Sequence, residues 1–141
     1  MYDAKVKEQT MVNGINVDEM VGTIEAVRQQ PELAKLQFRA TDEWIKGTHN
    51  RTTINEIYGA GEEQKRENSF VIDKDEPPFL MGKNIAANPV EYVLASLAGC
   101  LTTTLVLFAA AEGVKLDEVT SKFEGDASLL GFLGLDENTR M

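Results

Sequence analysis

Residues 88–113 read NPVEYVLASLAGCLTTTLVLFAAAEG. Asn88 suits a helix N-cap, because its side-chain oxygen accepts from the free N–H groups of the first turn. Pro89 suits the first helical position, where its missing N–H would have no partner anyway. Gly113 is a stop signal. Between them, Tyr92 to Ala111 run for 20 residues without a charge. The stretch therefore predicts one helix over 89–112, apolar on every face. Such a helix must be covered all round, by strand layers of its own chain or by a partner subunit.

A run of this length also meets the requirement for a membrane span. Three features oppose that reading. Thr102, Thr103 and Thr104 place three consecutive hydroxyls near the centre. Glu91 and Glu112 flank the run, with no basic cluster to set a topology. Amphipathic elements on both sides need an apolar surface to bury against, and this helix offers it. The expected class is α+β: an antiparallel sheet packed on a long central apolar helix, with no membrane.

Upstream of the helix, residues 73–89 contain Pro77-Pro78 and read as a loop, with the acidic run Asp73–Glu76 as a solvated segment. Residues 35–45 alternate, with Leu36, Phe38 and Ala40 on one side and Lys35, Gln37 and Arg39 on the other, as in a half-buried strand. A turn at 46–50, a strand at 51–58, a polar connection at 59–68 and a strand at 70–72 complete an antiparallel meander. Phe38, Trp44 and Phe70 are expected in the core. Downstream, 119–124 alternate again and predict a fourth strand. Residues 16–30 place Val17, Met20, Val21, Ile24 and Val27 at helical spacing. Asn16 with Glu19 suggests a capping box, Asp18 suits the positive N-terminal end, and Pro31 follows the last periodic residue. The division expected is an N-terminal extension, 1–34, and a main domain, 35–141.

The chain has 141 residues, 43% hydrophobic and 26% charged, with a net charge of −9. That length suits one domain, which buries roughly two-thirds of the surface its unfolded form exposes. The negative balance opposes nucleic-acid binding and docking on anionic membranes. One cysteine excludes a disulfide within the chain and fits a reducing, cytoplasmic compartment. The start, MYDAKVKEQT, has no apolar run of the kind a secretory signal needs. One cysteine and one histidine are too few for the usual zinc site, no EF-hand spacing is present, and no metal or cofactor is expected.

Three motifs, Asp75-Glu76-Pro77-Pro78, Asn88-Pro89-Val90-Glu91-Tyr92 and Leu97-Ala98-Gly99-Cys100-Leu101-Thr102, together resemble the osmotically inducible protein C (OsmC) and organic hydroperoxide resistance (Ohr) superfamily. The resemblance spans about residues 35–135. Gly131-Phe132-Leu133-Gly134-Leu135-Asp136 resembles a branch with an N-terminal helical extension, whose members continue through further strands and another helix beyond the point where this sequence stops. The resemblance implies an intertwined homodimer with long central helices buried under sheets. It also implies thiol-dependent reduction of organic hydroperoxides by a cysteine, assisted by an arginine from the first hairpin and a glutamate near the helix start. A second cysteine resolves the sulfenic acid in such proteins.

Carried over residue by residue, Cys100 matches the peroxidatic cysteine and Arg51, just past the first hairpin turn, matches the arginine. The glutamate falls on Val90, ten residues before Cys100. Glu91 is nine before, about half a turn away on a helix. The resolving cysteine has no counterpart. Peroxide reduction needs a thiolate, and an arginine beside Cys100 would favour one. The candidate site is thus Cys100, Arg51 and Glu91, with His49 as a turn residue and a weaker candidate base. Two readings stand. One is a cysteine peroxidase using a hydroperoxide and an external thiol reductant. The other is a non-enzymatic dimer of the same fold that binds a small apolar ligand or senses redox state.

Overall fold

The computed structural model describes residues 10–139. The signal-free reading of the first nine residues lies outside them.

The described residues open with a small hairpin, β1 (Met11–Val12) and β2 (Ile15–Asn16). Asn13 and Gly14 both take positive φ in its two-residue turn, the backbone that lets tightly joined strands keep their twist. Helix α1 (Val17–Gln29) follows. The Asn16 side chain caps it by accepting from Glu19 N–H at 3.2 Å. The neighbouring acid, Asp18, reaches back to Thr10 N–H at 2.9 Å. A 3-10 turn, Pro31–Ala34, leads out of it.

The expected single meander is instead two separate three-stranded antiparallel sheets. One is ordered β3-β6-β7 and the other β4-β5-β8. The strand expected over 35–45 divides into β3 (Gln37–Phe38) and β4 (Thr41–Lys46). The strand expected over 51–58 divides into β5 (His49–Ile54) and β6 (Ile57–Gly59). The polar connection contributes β7 (Glu62–Gln64), joined to β6 by the turn Ala60-Gly61, both at positive φ. The third expected strand is β8 (Phe70–Lys74). The alternation within each divided stretch was a sound strand signal, but it cannot show that the chain changes sheets partway. Residues 119–124 form no strand. Alternation alone does not make a ladder without a neighbouring edge to pair with.

The long helix is α2, Pro89–Ala111. Asn88 accepts from Val90 N–H at 2.7 Å, and Glu91 Oε2 accepts from Asn88 N–H at 2.7 Å, a reciprocal capping box. A short helix, α3 (Leu129–Phe132), follows the irregular segment after α2. Asn13 ties the first hairpin to the exit of α2, donating to Val114 O at 2.8 Å and accepting from Leu116 N–H at 2.9 Å.

The architecture is α+β, with antiparallel sheets and a long central helix. Among the described residues, however, no sheet covers that helix. Ala110 is its only buried residue among those described, and Val93, Leu101 and Phe108 are 66%, 52% and 69% exposed. Phe38 and Trp44, expected in the core, are each 73% exposed, and Phe70 is 59% exposed. The chain exposes 11877 Å², whereas a compact monomer of its 15.6 kDa mass would expose about 7,300 Å².

Candidate functional site

The most enclosed polar group lies between β8 and α2. Asp75 is buried, 2% exposed, and every part of its carboxylate is used. Oδ1 accepts from Thr48 Oγ1 at 2.6 Å, and Oδ2 accepts from the N–H groups of Lys83 and Ile85 at 3.0 and 3.3 Å. The Thr48 hydrogen bond, more than any other contact, holds the Asp75 pKa down at about 2. Around it the loop folds back tightly. A side chain at Gly82 would meet the backbone oxygen of Glu76 at 1.7 Å. Asn88 Nδ2 donates to Glu76, which fixes the loop to the start of α2. The acidic run is therefore not a solvated segment: Asp73 and Lys74 belong to β8 and Asp75 is an internal post. Its partners are far away in sequence, so local composition could not reveal its burial.

Arg51 lies on β5, facing Glu43 of β4 and Asp73 of β8 in the strand register. Its Nε donates to Asp73 Oδ1 at 2.9 Å and its Nη2 to Asp73 Oδ2 at 3.2 Å. His49 Nε2 lies 2.8 Å from the same Oδ1. The Arg51 hydrogen bond, then that of His49, lowers the Asp73 pKa, and the Asp73 hydrogen bond raises that of Arg51. The opposite face of this sheet carries a second cluster. Lys74 Nζ, on a side chain only 14% exposed, donates to Asp42 and Thr52, and Lys74 lowers the Asp42 pKa.

Cys100 sits near the middle of α2 with an exposed side chain. Glu91 is engaged at the helix start as the cap of Asn88. Among the described residues, no hydrogen bond or ion pair within the chain joins Cys100 to Arg51 or to Glu91. The structure thus brings Arg51 together with Asp73 and His49, and leaves Cys100 on an uncovered helix face. Asp73 was missed as a partner for Arg51, although a carboxylate in a β-rich stretch is a reasonable cross-strand match for an arginine. Among the described residues no group of three or more His, Cys, Asp or Glu side chains is placed to hold a metal ion.

A cleft of about 480 Å³ opens beside the start of α2. Phe79, Leu80, Leu94, Leu129 and Phe132 give it an apolar lining, and Glu76, Asn88 and Glu91 supply polar groups.

No curated protein matches the chain. The family described as OsmC-like protein matches residues 82–138, a segment that takes in α2, Glu91 and Cys100 and begins after Arg51 and Asp73. With that match over the long capped helix, in an α+β chain with antiparallel sheets, residues 82–138 are similar to the OsmC-like family, which supports the resemblance to the OsmC/Ohr superfamily.

Proposed function

We propose that two copies of this chain associate through α2 and the exposed sheet faces, and that in the homodimer Cys100 reduces organic hydroperoxides. The observation that carries this reading is the exposed Cys100 thiol on the helix matched by the family. The surface supports association. The chain exposes about 4,600 Å² more than a compact monomer of its mass would, and obligate homodimers commonly bury 2,000–5,000 Å² or more. Across such an interface, Arg51 of one copy serves the thiol of the other, favouring the thiolate by its charge.

The Cys100 thiolate attacks the outer peroxide oxygen. The O–O bond breaks, a proton goes to the departing alkoxide, and the products are an alcohol and Cys100 sulfenic acid. One external thiol condenses with the sulfenic acid, releasing water and leaving a mixed disulfide. A second thiol releases reduced Cys100 and carries away the external disulfide. In this reading both electrons come from external thiols. The reading places the protein in a soluble, reducing compartment, the cytoplasm.

One equivalent of an organic hydroperoxide, followed by a sulfenic-acid trap, is expected to label Cys100. Small thiols should then support repeated turnover. A folded protein whose Cys100 stays unmodified would return that residue to the role of a small apolar side chain. The cleft beside α2 favours a second reading, a dimer that binds a small apolar ligand without chemistry. Trapping without turnover on any mono- or dithiol, together with saturable binding of an apolar probe, would select it.

A further inference from the structure

Among the groups on the β4-β5-β8 sheet, Asp73 has the most exacting task. It stands on β8 opposite Arg51 in the register and takes the guanidinium side-on, by Nε and Nη2. Its Oδ1 also meets His49 Nε2. A carboxylate oxygen only accepts, so the His49 Nε2 must carry the hydrogen, whether the ring is neutral or charged. Oδ1 therefore receives two donors and Oδ2 one. Three side chains from two neighbouring strands lock one another, with His49 and Asp73 more sheltered than Arg51: their side chains are 19%, 37% and 46% exposed.

We propose that Asp73 is the positioning residue of Arg51, fixing its guanidinium plane against the sheet so that the Nη1 edge is the one offered outward. His49 supports this by holding the carboxylate from its other side. A guanidinium has five N–H donors in a rigid fork. Asp73 occupies one on Nε and one on Nη2, and both Nη1 hydrogens remain for a peroxide oxygen or a thiolate. Without this hold, Arg51 is a long, half-exposed side chain on the central strand, and Glu43, opposite it on β4, competes for its charge. The carboxylate at the start of α2 does not fill the role, because Glu91 is committed to Asn88 N–H. The catalytic consequence rests on the reading that Arg51 serves Cys100; the hold itself does not.

Two measurements test it on the full chain. The first is the Arg51 Nε–H resonance in a proton–nitrogen spectrum of the unmodified protein. It is expected to be a distinct, exchange-protected signal that is lost in Asp73→Asn. An unprotected Arg51 Nε–H in the unmodified protein would overturn the proposal without reference to any variant. The second is the rate of Cys100 sulfenic-acid formation with an organic hydroperoxide in Asp73→Asn, Arg51→Met and the double variant. Asp73→Asn should lose about tenfold, the scale of one charge-assisted contact. It should lose nothing further in the Arg51→Met background. An equal loss in both backgrounds would show that Asp73 acts through general stability and would overturn the positioning role. A protected, Asp73-dependent Nε–H signal in a protein whose Cys100 never reacts with peroxide would sink the peroxidase reading and leave the hold on Arg51 standing.

Discussion

The loop at 75–88 and the helix that follows it solve opposite problems. In the loop, a buried carboxylate has each oxygen satisfied by donors from Thr48, Lys83 and Ile85, all within one chain. In α2, 23 residues have an ordered start and an apolar surface that remains open. Polar groups need partners at hydrogen-bond distance wherever they are buried, so the chain settles them itself. Apolar area has no such directional demand. It can wait for a partner, because the hydrophobic effect rewards any surface that excludes water. A helix cap fixed to the loop thus leaves an exposed apolar face, the one through which the proposed dimer would form.

The comparison breaks most severely at the helix. Leu101 and Leu105 lie one turn apart and are 52% and 50% exposed in the single chain. Replacing both with Glu should weaken self-association by about a thousandfold or more, since it puts charges into an apolar interface. Sedimentation equilibrium measures this directly. A wild-type chain that is a stable, well-folded monomer at micromolar concentration would end the argument that α2 waits for a partner.

The loop should yield next. Asp75→Ala strips three donors of their acceptor and should lower the melting temperature by about 10 °C. The same post predicts an acid response. The carboxyl of Asp75 titrates at about 2 when folded, against an ordinary 3.8. Because the folded value is the lower one, its stabilisation is present above the ordinary value and is lost as pH falls through 3.8 toward 2. Melting temperature against pH should fall across that window in the wild type. The fall should be shallower in Asp75→Ala, and parallel curves for the two proteins would remove Asp75 as a post.

How much of this was legible in the sequence follows from where the partners lie. Asn88, Pro89 and Gly113 bound α2 through groups within a turn of one another, so its limits were readable to a residue. Cys100 and its family motif were readable for the same reason. Asn13-Gly14 is a local signal of the same kind, a two-residue hairpin turn. Its hydrogen bonds to Val114 and Leu116 were not readable, because 101 and 103 residues separate the partners. Asp73 with Arg51 and Asp75 with Thr48 are likewise pairs made by the sheet. The exposure of Phe38 and Trp44 was misread for another reason. Their apolar character marks them as core candidates, but a sequence does not say which apolar side chains its own fold will cover.

The smallest expected effect discriminates most finely between cap and catalyst. Glu91 Oε2 accepts from Asn88 N–H at 2.7 Å, which is a structural task that glutamine can also perform. Glu91→Gln keeps the acceptor and removes the charge. It should therefore forfeit only the attraction between a carboxylate and the positive end of α2, about 0.5 kcal/mol. Glu91 stands nine residues before Cys100, about half a turn off its face, so a group held at the thiol is out of line with this carboxylate. The rate of Cys100 oxidation should accordingly stay within about twofold of wild type, on the scale of that small loss. Comparing melting temperature with oxidation rate in the one variant separates the two roles. A hundredfold loss of rate at unchanged melting temperature and unchanged association would make Glu91 part of the chemistry, and the cap at Asn88 would then be its resting position rather than its purpose.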